Sequence, residues 1–108
     1  MALAGHDTAN LVFNNAATAS SYSGTLAGVA AGELIVACIT ACADGVGTDP
    51  SGWTVTLGGD TLTFRAGPAP TTSHGTAAIF TGVASARGNQ TLAVSPGVNL
   101  RACTAHAF

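Results

Sequence analysis

The residues that could perform chemistry are few and scattered along the chain. Ser73 and His74 stand side by side and could supply two members of a hydrolytic triad, but no sequence feature places an acidic residue beside them. His6 and Asp7 could supply two metal ligands, and a complete site would require His74 and His106 to converge on them. A surface loop for Ser73 and His74, and a partly buried strand position for His106, are favoured instead.

The five carboxylates do not form a recognisable pair or cluster. Asp44 and Asp49 flank a Gly-rich loop that could hold calcium, but their spacing differs from that of an EF-hand and favours solvated turn positions. A carboxylate pair for glycoside hydrolysis would have to come from turn or strand-edge residues. The chain has no Gly-x-Ser-x-Gly motif, and without lysine it has no phosphate-binding Gly-x-x-x-x-Gly-Lys loop. The sequence therefore predicts no enzyme, no bound metal and no cofactor.

The three cysteines, Cys38, Cys42 and Cys103, leave at least one thiol unpaired in a monomer. Cys38 and Cys42 fall on the same face of one strand, about 13 Å apart, which is too far for a disulfide. Pairing of either residue with Cys103 stays open, and free thiols acting as small apolar side chains are the favoured alternative. A zinc finger is not predicted, because the chain lacks a second Cys pair and a suitably spaced His.

The composition excludes several classes of protein. Only 8 of the 108 residues are charged, whereas Ala, Gly, Thr and Ser together make up more than half of the chain. Three scattered arginines cannot neutralise a run of phosphates, so nucleic-acid binding is not expected. Charge-driven disorder and a coiled coil both need many more charged residues. The length is that of one domain.

No targeting or membrane segment is expected. The N-terminal residues lack the basic start and the apolar centre of a signal peptide. The most apolar stretch, residues 34–43, is too short to span a bilayer. We therefore expect a soluble protein that is synthesised in the cytoplasm and does not contact membranes.

Short alternating segments separated by Gly, Pro, Asn and Asp predict an all-β protein. Apolar or aromatic residues on one parity and Thr or Ser on the other are typical of a half-buried strand. Gly58-Gly59-Asp60 lies between two such segments and predicts a hairpin turn. The architecture expected is an antiparallel β-sandwich, jelly-roll or Ig-like, with about six to eight short strands. The predicted strands are 10–13, 33–42, 53–57, 61–65, 76–83, 90–95 and 100–108.

The predicted core is thin, because most other interior residues are small. Its members are Leu34, Val36, Cys38, Trp53, Val55, Leu57, Leu62, Phe64, Ile79, Leu92 and Val94. A small core under an almost uncharged surface gains stability from association, so a homo-oligomer is expected. Residues 1–24 are predicted to form an arm with a first short strand, and residues 25–108 the sandwich domain. The predicted partner contacts are Leu3, His6, Leu11, Phe13 and Phe108.

Four segments carry a resemblance to a known group of proteins. They are residues 30–39 (Ala-Ala-Gly-Glu-Leu-Ile-Val-Ala-Cys-Ile), 50–54 (Pro-Ser-Gly-Trp-Thr), 76–84 and 90–95. Over residues 26–108 the chain resembles a recurrent β-sandwich in structural proteins of tailed bacteriophages. In larger members of that group further strands follow the equivalent of residues 105–108, so a neighbour or the N-terminal arm is expected to complete the sheet.

The resemblance implies a virion structural protein on the capsid surface. A domain of this size without an enzymatic site is similar in kind to a head decoration, or cement, protein, which binds the major capsid protein and is often a trimer. The alternative is a tail or fibre component that binds a host surface or carbohydrate. Sugar binding needs exposed aromatic residues, whereas Trp53, Tyr22 and most of the phenylalanines are predicted in the core. An unrelated bacterial adhesion domain is a third interpretation.

Overall fold

The computed structural model describes residues 10–42, 49–67 and 75–107. These residues form eight strands, all paired antiparallel, and one 3-10 turn at Pro50–Gly52. No α-helix occurs within the three described ranges. The predicted all-β, antiparallel class is thus confirmed. The strands are β1 (Asn10–Asn15), β2 (Tyr22–Val29), β3 (Leu34–Cys42), β4 (Thr54–Leu57), β5 (Asp60–Ala66), β6 (Gly75–Val83), β7 (Gly88–Ser95) and β8 (Ala102–Ala107).

The strands form one sheet in the order β1-β8-β3-β6-β5-β4-β7-β2, and its pairings are nested. The innermost pair, β4 and β5, is a hairpin that turns at Gly58 and Gly59, as predicted. Gly58 adopts a φ of +58°, in the left-handed region that tight hairpin turns require. Around this hairpin β3 pairs with β6, β2 with β7, and β1 with β8. The chain is therefore a long antiparallel ribbon that is folded back on itself.

The two edge strands, β1 and β2, approach each other and make the sheet nearly barrel-shaped. The rings of Phe13 and Tyr22 stack across this seam with their centroids 6.3 Å apart. The Tyr22 hydroxyl lies 2.8 Å from the carbonyl oxygens of both Ala17 and Leu100, and burial raises its pKa. Beside it, Gly24 leaves room for the backbone carbonyl of Val12. The two edge strands come into contact because the rings stack, the Tyr22 hydroxyl is hydrogen-bonded in the interior, and Gly24 has no side chain.

The first strands belong to the sheet rather than to a separate arm. β1 pairs with β8 along Asn10–Asn15, and β2 pairs with β7 along Tyr22–Val29. The boundary expected between residues 24 and 25 therefore falls inside β2. The more N-terminal part of the predicted arm, residues 1–9, lies outside the described residues.

The core lies between two halves of the sheet, β1-β8-β3-β6 and β5-β4-β7-β2. Six of the predicted core residues are buried, in β4, β5, β7 and at the position before β4. They are Trp53, Val55, Leu57, Leu62, Leu92 and Val94. Phe64 is half-buried, and its ring meets that of Phe80 edge-on at 5.6 Å. Burial of these large side chains is the main stabilising contribution of the fold.

The predicted orientation of β3 and β6 is wrong. Leu34 is 60% exposed and Ile79 is 40% exposed, whereas Val36 and Cys38 are only half-buried on the outer side. The side chains of these two strands that enter the core are Ile35, Ala37, Ile39, Ala41, Ala78 and Phe80. Both parities of β3 are apolar, so alternation alone could not decide which one faces inward.

The three cysteines, all within the described residues, form no disulfide, and they lie on opposite sides of the sheet. Cys38 and Cys42 are half-buried on the outer side of β3, whereas Cys103 enters the core opposite Ala41. The two pairings with Cys103 that the sequence leaves open are therefore not formed. Burial raises the pKa of the Cys103 thiol to about 12.

The three thiols are expected to differ in reactivity towards a maleimide. At pH 8 Cys103 stays protonated and shielded, so its labelling in the native protein should be less than about one-tenth of that of Cys38 or Cys42. Peptide mass spectrometry of dilute protein, labelled with and without denaturant, measures the difference. Equal labelling of all three residues without denaturant would contradict the inward position of Cys103.

Candidate interaction surface

Most of the residues that could perform chemistry lie outside the described ranges. These are His6, Asp7, Asp44, Ser73 and His74. Asp49 is described, and its carboxylate accepts the backbone N–H of Ser51 at 2.9 Å, which caps the 3-10 turn and lowers the pKa of Asp49. Its environment is that of a turn residue.

The other two described carboxylates also bind nearby backbone groups. The Asp60 carboxylate accepts the N–H of Ser85 at 2.8 Å and its hydroxyl at 3.0 Å, and these bonds lower the pKa of Asp60. The Glu33 carboxylate accepts the N–H of Ala30 at 2.8 Å. Among the described residues, no three His, Cys, Asp or Glu side chains are grouped as metal ligands would be. None of the helical segments that the structure describes could cross a membrane.

His106 is exposed rather than partly buried, and it lies on the outer side of β8. In register it is opposite Cys38 on β3 and opposite Leu11 on β1. One imidazole and one thiol supply only two ligands, so this cross-strand pair is not by itself a zinc site. His106, Cys38 and Leu11 belong to a larger surface.

That surface is the outer side of β1, β8, β3 and β6, here called the apolar face. It carries four large hydrophobic side chains at 40% exposure or more: Leu34 at 60%, Val83 at 59%, Leu11 at 57% and Ile79 at 40%. No Asp, Glu, Lys or Arg points outward from the described residues of these four strands. A strand that is apolar on both parities, as β3 is, is typical of strands covered on both sides. The apolar run of residues 34–39 was recognised in the sequence, but its indication that both sides of β3 are covered was not used.

The apolar face has a ridge at one end and a groove further along the same strands. Leu34 and Val83 are direct cross-strand partners and form the ridge. Two pairs along the register, Cys38 and Ile79 border a groove of about 220 Å³. The other residues that line the groove are Ile39, Thr40, Ala66, Gly67, Ala77 and Ala78.

The outer side of β2, β7 and β4 has a different character and is here called the hydroxyl face. Its outward residues alternate with the buried core residues, and most of them carry a hydroxyl group. They are Ser23, Thr25, Thr54, Thr56, Thr91 and Ser95, together with Ala27, Asn89 and Ala93. No Asp, Glu, Lys or Arg of the described residues points outward here either, and the two faces differ in that only the apolar face carries large exposed hydrophobic side chains.

Of the five predicted partner contacts, Leu11 and Phe13 lie among the described residues, and their side chains are on opposite sides of β1. Leu11 lies on the apolar face. Phe13 is half-buried against the core and stacked on Tyr22, so its ring is not a free contact. Leu3, His6 and Phe108 lie outside the described residues. Val83 completes the apolar face although it was not predicted there.

Comparison of the chain with protein-family models, with curated proteins and with solved structures finds no match. The resemblance to phage structural proteins therefore rests on its sequence segments alone.

Proposed function

We propose that the eight strands form a jelly roll. The nested pairing of β4 with β5, β3 with β6, β2 with β7 and β1 with β8 supports this, because a jelly roll is an antiparallel ribbon wrapped into two four-stranded sheets. The two halves of the observed sheet would be those two layers. Jelly rolls occur in viral capsid and lectin domains, so this architecture is compatible with a virion role.

The function proposed is that of a virion structural protein, a head decoration protein that binds and stabilises the capsid lattice. The observation that carries the proposal is the pair of uncharged faces. The described charged residues lie at turns and strand ends, except Arg65, which lies on β5 between the two faces. Contact through Thr, Ser and aliphatic side chains desolvates no charge and immobilises few long side chains. Such a surface is suited to permanent contact with another protein.

The stabilising mechanism is mass action. A subunit that binds the assembled lattice, and not the dispersed capsid protein, lowers the free energy of the lattice in proportion to the logarithm of its free concentration. No covalent chemistry is required, which agrees with the local structural roles of Asp49, Asp60 and Glu33.

The carbohydrate-binding alternative has less support. Sugar sites use exposed aromatic rings as stacking platforms, whereas each described aromatic residue is buried or half-buried. The five are Phe13, Tyr22, Trp53, Phe64 and Phe80. The hydroxyl face offers hydrogen-bonding groups but no ring.

Titration of the purified chain onto empty mature heads tests the proposal. We expect saturable attachment and a rise in the melting temperature of the heads, because the bound state stabilises only the assembled lattice. Pre-saturation of the heads with unlabelled chain should abolish the attachment of labelled chain, which controls for non-specific adsorption. Absence of attachment to heads, or attachment to tails or host glycans instead, would refute the decoration role.

A further inference from the structure

We propose that the thiol of Cys38 and the imidazole of His106 form a binding site for a soft monovalent cation, Cu(I). The site does not depend on the virion role, because it follows from two side chains and their surroundings. Three observations favour it: the register of the two strands, the neighbours of the pair and the charge of the apolar face.

The register of β3 and β8 places the two donor groups side by side. Cys38 is directly opposite His106, no bulge interrupts the pairing, and both side chains lie on the outer side. The carbonyl oxygen of Cys42 accepts the N–H of Arg101, so every second residue of β3, Cys38 included, directs its backbone groups towards β8. Opposite Cβ atoms in such a ladder are about 4.5–5.5 Å apart. The backbone therefore holds the thiol and the imidazole next to each other.

One cation can bridge the two groups. Bonds from a first-row metal to imidazole nitrogen and thiolate sulfur measure roughly 2.0 and 2.3 Å, so the two donors have to come within about 4.4 Å. Side chains that leave the sheet about 5 Å apart reach this separation by rotation about their χ angles, and the imidazole of His106 is exposed. Binding replaces the thiol proton of Cys38 by the cation, which bonds to sulfur and to a neutral imidazole nitrogen. No electron is transferred.

Large aliphatic side chains lie on either side of the pair. In the same cross-strand row, Leu11 of β1 is opposite His106, and Ile79 of β6 is opposite Cys38. On its β6 side Cys38 also borders the groove of about 220 Å³. Apolar neighbours limit the access of water to a bound metal. They therefore favour Cu(I) over the more strongly hydrated Cu(II).

The charge of the face favours a monovalent cation. Cu(I) and one thiolate form a neutral complex, whereas Zn²⁺ with the same thiolate leaves one positive charge. No Asp or Glu points outward from the described residues of β1, β8, β3 and β6 to offset that charge. Zinc also takes four ligands, and no third His, Cys, Asp or Glu of the described ranges joins the pair. Sulfur and imidazole nitrogen both suit copper, and Cu(I) is stable with two ligands.

Anaerobic titration of the reduced full chain with Cu(I), in competition with a chromophoric Cu(I) chelator, tests the proposal. At about 10 µM protein the native chain should bind one Cu(I) per molecule, with an ultraviolet absorption from thiolate to copper. Cys38→Ser removes the soft ligand and should lower the affinity at least about 100-fold, and His106→Ala should lower it at least about 10-fold.

Cys42→Ser is the matched control. Cys42 is also half-buried on the outer side of β3, but its opposite residue on β8 is Ala102, which has no donor group. The affinity of this variant should therefore stay within about 2-fold of that of the native chain. Circular dichroism of each variant verifies that a loss of binding is not a loss of fold.

Nuclear magnetic resonance distinguishes coordination by His106 from an indirect effect of its replacement. Ag(I) has the same charge as Cu(I) and a similar preference for sulfur, and it is not oxidised in air. Addition of Ag(I) to the native chain should shift the ring signals of His106. The same addition to Cys38→Ser should leave them in place.

Five outcomes would overturn the site. They are native affinity in Cys38→Ser, native affinity in His106→Ala, equal losses in Cys38→Ser and Cys42→Ser, His106 signals that Ag(I) does not move, and one cation shared by two chains. A chain that stabilises heads but binds no Cu(I) would overturn the metal site alone. A chain that binds Cu(I) but not heads would overturn the decoration role alone.

Discussion

Replacement of Trp53 by alanine is expected to lower the free energy of unfolding by about 3–5 kcal/mol. Trp53 is 6% exposed and is the largest side chain in the core. Its backbone N–H donates to the carbonyl oxygen of Pro50 at 3.1 Å. The 3-10 turn before β4 therefore fixes the position at which the indole ring enters the core. Removal of the ring leaves a cavity that the rigid β-strands around it cannot close.

Trp53→Phe is the matched control for this change. The indole N–H of Trp53 is buried and finds no acceptor among the described residues. Phenylalanine keeps most of the apolar packing and removes that unpartnered donor, whose burial costs about 1–3 kcal/mol. The loss should therefore be below about 2 kcal/mol. Urea unfolding followed by circular dichroism measures both variants, and a Trp53→Ala loss below about 1 kcal/mol would show that the ring does not support the core.

The second large effect is expected at the seam between β1 and β2. A Cβ at Gly24 would overlap the carbonyl oxygen of Val12 and lie 3.0 Å from the Cβ of Phe13. Because the obstacle is backbone, it cannot rotate away, and Gly24→Ala should cost about 1–3 kcal/mol. Amide exchange in β1 and β2 should accelerate, while the hairpin of β4 and β5 stays protected.

Gly59→Ala makes the same chemical change at a position with open space. Nothing lies within 4 Å of a Cβ built at Gly59, so its stability should stay within about 0.5 kcal/mol of that of the native chain. Equal losses for Gly24→Ala and Gly59→Ala in urea unfolding would contradict a closely packed seam.

The alternation of polar and apolar residues identified the core residues in those strands where one of the two sides is polar. In β4, Thr54 and Thr56 leave Val55 and Leu57 as the only inward candidates, and those residues are buried. In β3 the same rule failed, because Leu34 and Ile35 are equally apolar. The inward parity is decided by packing against the other half of the sheet, which a local pattern does not contain.

Neither the order of the strands in the sheet nor the existence of strand β2 could be predicted from the sequence. Gly24 and Gly28 weaken the strand signal of β2, although Tyr22 and Leu26 share one parity with Gly24. The nested pairing joins residues far apart along the chain, such as Leu11 and His106. Likewise, the apolar face combines a predicted contact, Leu11, with the exposed Leu34, a predicted core residue. It became visible only when the sheet order put β1, β8, β3 and β6 side by side.

The position of the chain in an intact particle tests the proposed function most directly. Cryo-electron microscopy of particles from the source of this sequence should show the eight-stranded domain on the outside of the head, in regular contact with the capsid lattice. Density for the domain on the tail alone, or particles that lack it altogether, would contradict a head decoration protein.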